Sequence, residues 1–312
     1  MSIPVLRTPD AWWVQLPAGA ARIDTSATTT AELLSDRTAV DAASNSTDTV
    51  PLETLDLISP VTAPCRVVAQ MTNYVSHVKD SGMNPDTVPL TFFRKSSGSI
   101  SGPTDAIVKP AHVNLLDYEA EIGLVIGKPF PVGTPVDNST AADHIAALVI
   151  TNDVSARDVQ LPKTQFYEAK SYPTFTPVGP VLLILEEGDF ARFDKLRLML
   201  RVNGELRQNS TVRDMIYPPS KALETLSKFQ RLDVGDLILT GTPGGTALKA
   251  PAKPIEIIGG FLPPALKWKL FFNKQSANPH YLKDGDVVEV SIATDDFMLD
   301  LGIQRTKVKY AR

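Results

Sequence analysis

The sequence predicts a β-rich α+β fold, and three observations carry that expectation. From about residue 60 onward the chain consists of short apolar runs separated by Gly, Pro and Asp, at 122–126, 146–150, 181–185, 196–202, 236–239 and 287–292. Runs of that length bounded by turn residues suit mostly buried strands. Only 220–229, and less clearly 141–147, carry a helical pattern, so helices are the minor partner. With 43% hydrophobic and 21% charged residues, the 312-residue chain can bury one large domain, or a main domain with a small appendage.

Taken in order, residues 1–60 are expected to form a small N-terminal module and linker. Trp12 and Trp13 mark the module, while 26–50 is rich in Thr, Ser, Ala and Asp and is expected as a surface element or linker. Residues 61–312 form the main domain. Within it, 246–281 carries five prolines and an amphipathic-looking stretch at 265–275, between two segments that look like strands. The alternatives for this insertion are a surface excursion, or a flap or oligomer contact.

A net charge of −4 and a pI near 5.6 give no electrostatic footprint for nucleic acid. The start, Met1 to Trp13, lacks a basic segment followed by a long apolar run, and no stretch approaches the roughly 20 apolar residues that cross a bilayer. The expectation is a cytoplasmic protein with no membrane partner. One cysteine, Cys65, excludes an internal disulfide and a multi-cysteine zinc site. The G-x-S-x-G pattern around Ser101 is preceded by Arg94-Lys95-Ser96 and followed by Pro103, so a polar turn is expected there instead of a nucleophile elbow. Gly241-Thr242-Pro243-Gly244-Gly245 lacks the lysine of a phosphate loop. His112, His144 and His280 stand singly and are expected to be structural.

The informative segment is Asp117-Tyr118-Glu119-Ala120-Glu121, which runs directly into an apolar strand. A side-chain period of two places Asp117, Glu119 and Glu121 on one face. Carboxylates at i and i+2 lie roughly 7 Å apart, which costs about 2 kcal/mol per pair at an effective dielectric of ~20. A solvated face is simply a charged edge, whereas an enclosed one needs a cation. A second apolar run, 147–152, ends in Asp153. That acid either caps the following turn or completes an all-oxygen site with Glu119 and Glu121. Oxygen ligands without His or Cys select a hard ion, Mg²⁺ first, with Mn²⁺ or Ca²⁺ as alternatives.

At this point the sequence resembles the fumarylacetoacetate hydrolase family, from about Cys65 to the C-terminus. The blocks stand in the family's order: Asn73-Tyr74-Val75-Ser76-His77, Phe93-Arg94-Lys95, Asp117 to Glu121, Asn152 to Gln160, and Ala169-Lys170-Ser171-Tyr172. Val202-Asn203-Gly204-Glu205, 235–243 and 285–290 follow. Each block is modestly specific, and their shared order is the strong signal. The resemblance implies a mixed β-roll or β-sandwich core, a small N-terminal module and a homodimer. It implies Glu119, Glu121 and Asp153 as metal ligands and Lys170 beside a developing enolate. It further implies Arg157, Gln160, Lys95 and Thr242 as contacts to a small oxo-carboxylate substrate. Arg157 has an alternative as an ion-pair partner of Asp158 or Glu168.

The expected reaction is metal-dependent hydrolysis of a C–C bond in a 2,4-diketo acid of the acylpyruvate, fumarylpyruvate or fumarylacetoacetate type. The alternative is a decarboxylase or a tautomerase/isomerase of a small oxo-acid using the same site. Hydrolysis needs a base. Residues 73–80 can form a helical turn that sets His77 and Asp80 on one face at i and i+3, where the carboxylate would orient the imidazole. The alternative is that His77 merely packs inward. Two departures from the family's pattern stand out: Met71 where a glycine is usual, and Asp80 where a longer Glu is found in some members.

Overall fold

A computed structural model describes residues 2–163, 165–250 and 262–311. Its architecture is the expected β-rich α+β fold. The largest sheet runs Gly19–Arg22, Trp12–Leu16, Ile3–Arg7, Thr176–Ile184, Ile145–Asn152, Ala120–Ile126, Leu237–Leu239, Val67–Gln70, Phe92–Lys95. It is mixed: Leu237–Leu239 runs parallel to Val67–Gln70, and its other main pairings are antiparallel. A five-stranded sheet is ordered Glu205–Thr211, Leu196–Val202, Val287–Thr294, Asp300–Tyr310, Ile107–Lys109.

Burial explains why the central strands are apolar on both faces. On one face Ile122, Leu124, Leu148 and Ile150 share a core with Leu198, Leu200, Val288 and Ile292 of the second sheet. On the other, Val125, Val149, Leu182, Leu237 and Leu239 pack with Leu33 and Val40. All seven residues of Ala120–Ile126 are therefore buried, and the strand carries no solvent-facing alternation.

Leu33 and Val40 come from two helices, Thr30–Ser35 and Arg37–Ser44, which corrects the reading of 26–50 as a linker. Leu33, Val40 and Ala43 are buried against the sheet, with Ala27, Leu34 and Ala39 packed beside them. The first helix opens with a full capping box, the Thr29 side chain accepting from the Glu32 amide and Glu32 accepting from the Thr29 amide. The N-terminal strands also continue the main sheet, since Ile3–Arg7 pairs antiparallel with Thr176–Ile184. Among the described residues no helix is long and apolar enough to cross a membrane.

Candidate active site

Strand register assembles the acids. Ala120–Ile126 and Ile145–Asn152 pair antiparallel with Thr151 opposite Glu121 and Asn152 opposite Ala120, so Asp153 leaves its strand beside the two glutamates. The Asp153 amide donates to the Glu119 carbonyl at 2.8 Å, and the Asn152 side-chain oxygen accepts from the Glu119 amide at 2.9 Å. One carboxylate oxygen each from Glu119, Glu121 and Asp153 lie within 4.8 Å of one another, and all three residues are buried.

Asp117 departs from the expected shared face. It lies in the two-residue strand Leu116–Asp117, which pairs with Ser155–Ala156 and not with the large sheet. Its carboxylate accepts from Arg157 at 2.8 Å and from the amides of Ala247 and Leu248. The alternation breaks at Glu119, between the two strands, because the ladder changes partner there.

Three buried carboxylates in contact need positive charge. Burial, with the charges of Asp153 and Glu119, pushes the Glu121 carboxyl well above the usual carboxylate range. Burial also pushes Glu119 upward, but Lys170 and Arg157 outweigh it and hold that carboxyl well below the usual range. Lys170 Nζ donates to Glu119 and to Asp153 at 2.7 Å each, and an Arg157 terminal nitrogen donates to Glu119. Among the described residues Glu121 receives only the Gly241 amide, at 2.7 Å. Gly241 has φ +85, and a Cβ there would fall 2.7 Å from that of Asn73. Only glycine brings this amide so close. Oxygen donors alone, one of them forced toward protonation, fit a hard divalent cation.

A cavity of about 720 Å³ opens onto this cluster and is lined by Glu119, Glu121, Lys170, Arg157, Gln160, Thr242 and His77. Arg157 donates to Asp117, Glu119 and Gln160, not to Asp158 or Glu168. The Thr242 hydroxyl donates to the Ala120 carbonyl and accepts from Gln208. The described end of the insertion, helix Pro264–Ser276, adds Trp268, Leu270 and Phe271 to the cavity wall; residues 251–261 of the insertion lie outside the described residues.

Two expected contacts fall elsewhere. Lys95 does not line the cavity: its fully buried ammonium is ion-paired with Asp153 and donates to the Phe175 carbonyl, so it braces a proposed ligand from behind. Asp80 does not hydrogen-bond His77. It pairs with Lys249 and accepts from the Gly245 amide, because helix Val75–Asp80 ends with that carboxylate turned toward the 244–250 turn. His77 is buried, its Nδ1 has no partner among the described residues, and burial lowers its pKa. Sequence reasoning missed Gln208, whose side chain ties the Ala120 amide to Thr242 and Pro243. No local pattern marks a glutamine on a strand 88 residues away. Of the other histidines, His112 meets the Tyr172 hydroxyl and His144 the Lys128 carbonyl, whereas His280 is exposed.

Residues 66–309 match the model of the fumarylacetoacetate (FAA) hydrolase C-terminal family. The chain is 33% identical over 251 residues to the fumarylacetoacetate hydrolase domain-containing protein 2 homolog of Dictyostelium discoideum, covering 78% of this chain and 72% of that protein. It is 33% identical over 245 residues to oxaloacetate tautomerase YisK of Bacillus subtilis, covering 77% and 71%. Among solved structures, a probable 2-hydroxyhepta-2,4-diene-1,7-dioate isomerase from Mycobacterium abscessus matches over 100% of both chains, with 32% identity and a TM-score of 0.76.

Proposed function

This chain belongs to the fumarylacetoacetate hydrolase family, and we propose that it is a divalent-metal-dependent tautomerase of a small 2-oxo acid. The observation that carries the reading is the buried cluster of Glu119, Glu121 and Asp153 with the Lys170 ammonium against two of them. These three acids would hold the ion, Mg²⁺ first, with Mn²⁺ or Ca²⁺ as alternatives. Once bound, the ion supplies Lewis acidity that lowers the free energy of an enolate.

The chain's own residues do the rest. Burial lowers the Lys170 pKa, but Asp153 and Glu119 outweigh it, so the group stays a cation and offsets enolate charge in a water-poor site. Arg157, Gln160 and Thr242 line the same cavity and would orient the substrate carboxylate. His77, kept neutral by burial, would take the proton from the carbon beside the oxo group and return it to the oxygen. One C–H bond breaks, one O–H bond forms, and no water is consumed.

Hydrolysis, the first expectation, also requires water activated by an oriented base. The carboxylate expected to orient His77 is committed to Lys249, and relatives named for tautomerase and isomerase reactions support proton transfer over C–C cleavage. The test follows the enol absorbance of oxaloacetate together with pyruvate release. Equilibration faster than the spontaneous rate with Mg²⁺, abolished by EDTA and without pyruvate, is the expected result. Pyruvate formed from oxaloacetate in step with its loss would instead return the decarboxylase reading, and pyruvate released together with a carboxylic acid from an acylpyruvate would return the hydrolase reading. A homodimer belongs to the same reading, and sedimentation at about twice the 33.8 kDa chain mass tests it.

A further inference from the structure

Beside the carboxylate cluster stands a wall that the proposed chemistry does not use. Phe93 and Lys95 share one face of the strand Phe92–Lys95 by the two-residue period, and Lys95 is ion-paired with Asp153. The Phe93 ring therefore lies near the acids, its centroid 5.4 Å from the Lys170 ammonium. The Lys170 amide donates to the Phe166 carbonyl at 3.1 Å, a single turn that sets Phe166 next to Phe93, with ring centroids 5.7 Å apart and edge to face. Both rings line the cavity, as do Trp268 and Phe271, themselves edge to face at 5.9 Å. Phe93 also packs on the sheet, but among the described residues Phe166, Trp268 and Phe271 join neither hydrophobic core. Aromatic surface kept out of a core and turned to a cavity is surface for a ligand.

The cavity, about 720 Å³, falls in the range of about 300–1,000 Å³ that encloses ligands of drug size, far more than a four-carbon acid fills. We infer that Phe93 and Phe166 select the tail of the substrate, and that this tail is an aromatic ring on the carbon beside the oxo group. The apolar wall begins at the ammonium that offsets the enolate charge, which is where that carbon must lie. Rings gain from edge-to-face or offset contact beyond the area they bury, and an alkyl chain does not. The ring also suits the reaction: His77 takes the C3 proton, the oxygen on C2 gains one, and the resulting enol is conjugated with the ring. Lys249, Lys267 and Lys274 border the cavity too. Lys249 is ion-paired with Asp80, while Lys267 and Lys274 are exposed, so water and salt screen their pull on a distal carboxylate. The inference rests on the oxo-acid reading of the site and names the class within it: a 3-aryl-2-oxo acid.

Binding, not turnover, separates the two claims. Calorimetric titration of the Mg²⁺-loaded protein would use phenylpyruvate, 4-methyl-2-oxopentanoate and oxaloacetate. Phenylpyruvate is expected to bind about tenfold more tightly than either of the others. Phe166→Leu should cut that ratio at least about threefold while Mg²⁺ affinity holds, because Phe166 belongs to neither core and is not among the proposed ligands. Phe93→Leu should cut it likewise and serves as the second variant if Phe166→Leu folds poorly. A ratio unchanged in both variants, an alkyl acid that binds as well as phenylpyruvate, or equal or tighter binding of oxaloacetate each overturns the inference. The expected ratios without any tautomerisation would instead overturn the reaction and leave this subsite standing.

Discussion

Among the site residues, Glu121 has the least compensated charge: Lys170 and Arg157 serve Glu119, Lys95 and Lys170 serve Asp153, and Glu121 has one backbone amide. A bound cation must therefore compete with a proton at Glu121. Glu121→Gln keeps an oxygen for the Gly241 amide but removes the charge. It should lower Mg²⁺ affinity by at least about 100-fold, more than the loss of an outer-shell partner. The metal-free variant should unfold no earlier than the metal-free parent; parental Mg²⁺ affinity in calorimetry would remove Glu121 from the ligand set. His77 makes a separate prediction. Burial lowers its pKa below the usual value of about 6.5, so between the folded and unfolded values the unfolded chain binds the extra proton. Stability from this group is complete above the unfolded value and is lost as pH falls toward the folded one. His77→Gln should flatten that decline between pH 7 and 5 in urea midpoints, and an unchanged slope would place its origin elsewhere. Asp153 was legible because an apolar strand ends at it, and Glu119 and Glu121 because they lead into an apolar strand, although the two-residue period breaks at Glu119 and leaves Asp117 elsewhere. The partners of Lys95 and Asp80 were not, since each depends on a residue 58 or 169 positions away.

At the scale of elements, the 240–245 turn holds the site together, with the Gly241 amide on Glu121, the Thr242 hydroxyl on Ala120 and the Gly245 amide on Asp80. Gly241→Ala meets both a positive φ and a 2.7 Å approach to Asn73, so a loss of about 1–3 kcal/mol is expected. Chemical denaturation measures that loss, and Mg²⁺ affinity should fall with it; a variant equal to the parent would mean that the turn relaxes freely. The helix Pro264–Ser276 makes a different prediction. Trp268 stacks on Phe272 at 5.5 Å between centroids, and Trp268 and Phe271 face the cavity. Trp268→Ala should raise KM by about tenfold with kcat nearly unchanged, as expected for a wall contact made equally in ground and transition states. A fall in kcat alone would assign the helix to the chemistry. Local signals predict elements unevenly. The 265–275 stretch looked amphipathic but was not assigned as a helix, and Thr30–Ser35 was hidden by a composition that resembles a linker, although Thr29 and Glu32 already spelled a capping box.

At the scale of the molecule, the question is how far the first sixty residues stand apart from the rest. Composition alone suggested a separate module, because a sequence does not reveal which distant edge a strand will join. In the structure Ile3–Arg7 lies along Thr176–Ile184, and Val5, Leu6, Trp12, Val14, Leu33 and Val40 are all buried. The strand they cover is tied to the site, for it begins at Thr176, beside the Phe175 carbonyl that holds Lys95 against Asp153. Removing residues 1–60 would expose one face of the large sheet together with an unpaired edge, a template for aggregation. The expected outcome is loss of near-ultraviolet circular dichroism and of Mg²⁺ binding, with soluble aggregates in gel filtration. The decisive comparison is with the double variant Val5→Asp, Leu6→Asp in the full chain. It keeps the length but breaks the seam, and should fail in the same way. If the truncated chain instead remains monodisperse and binds Mg²⁺ as the parent does, the N-terminal strands are an accessory edge and the catalytic core folds without them.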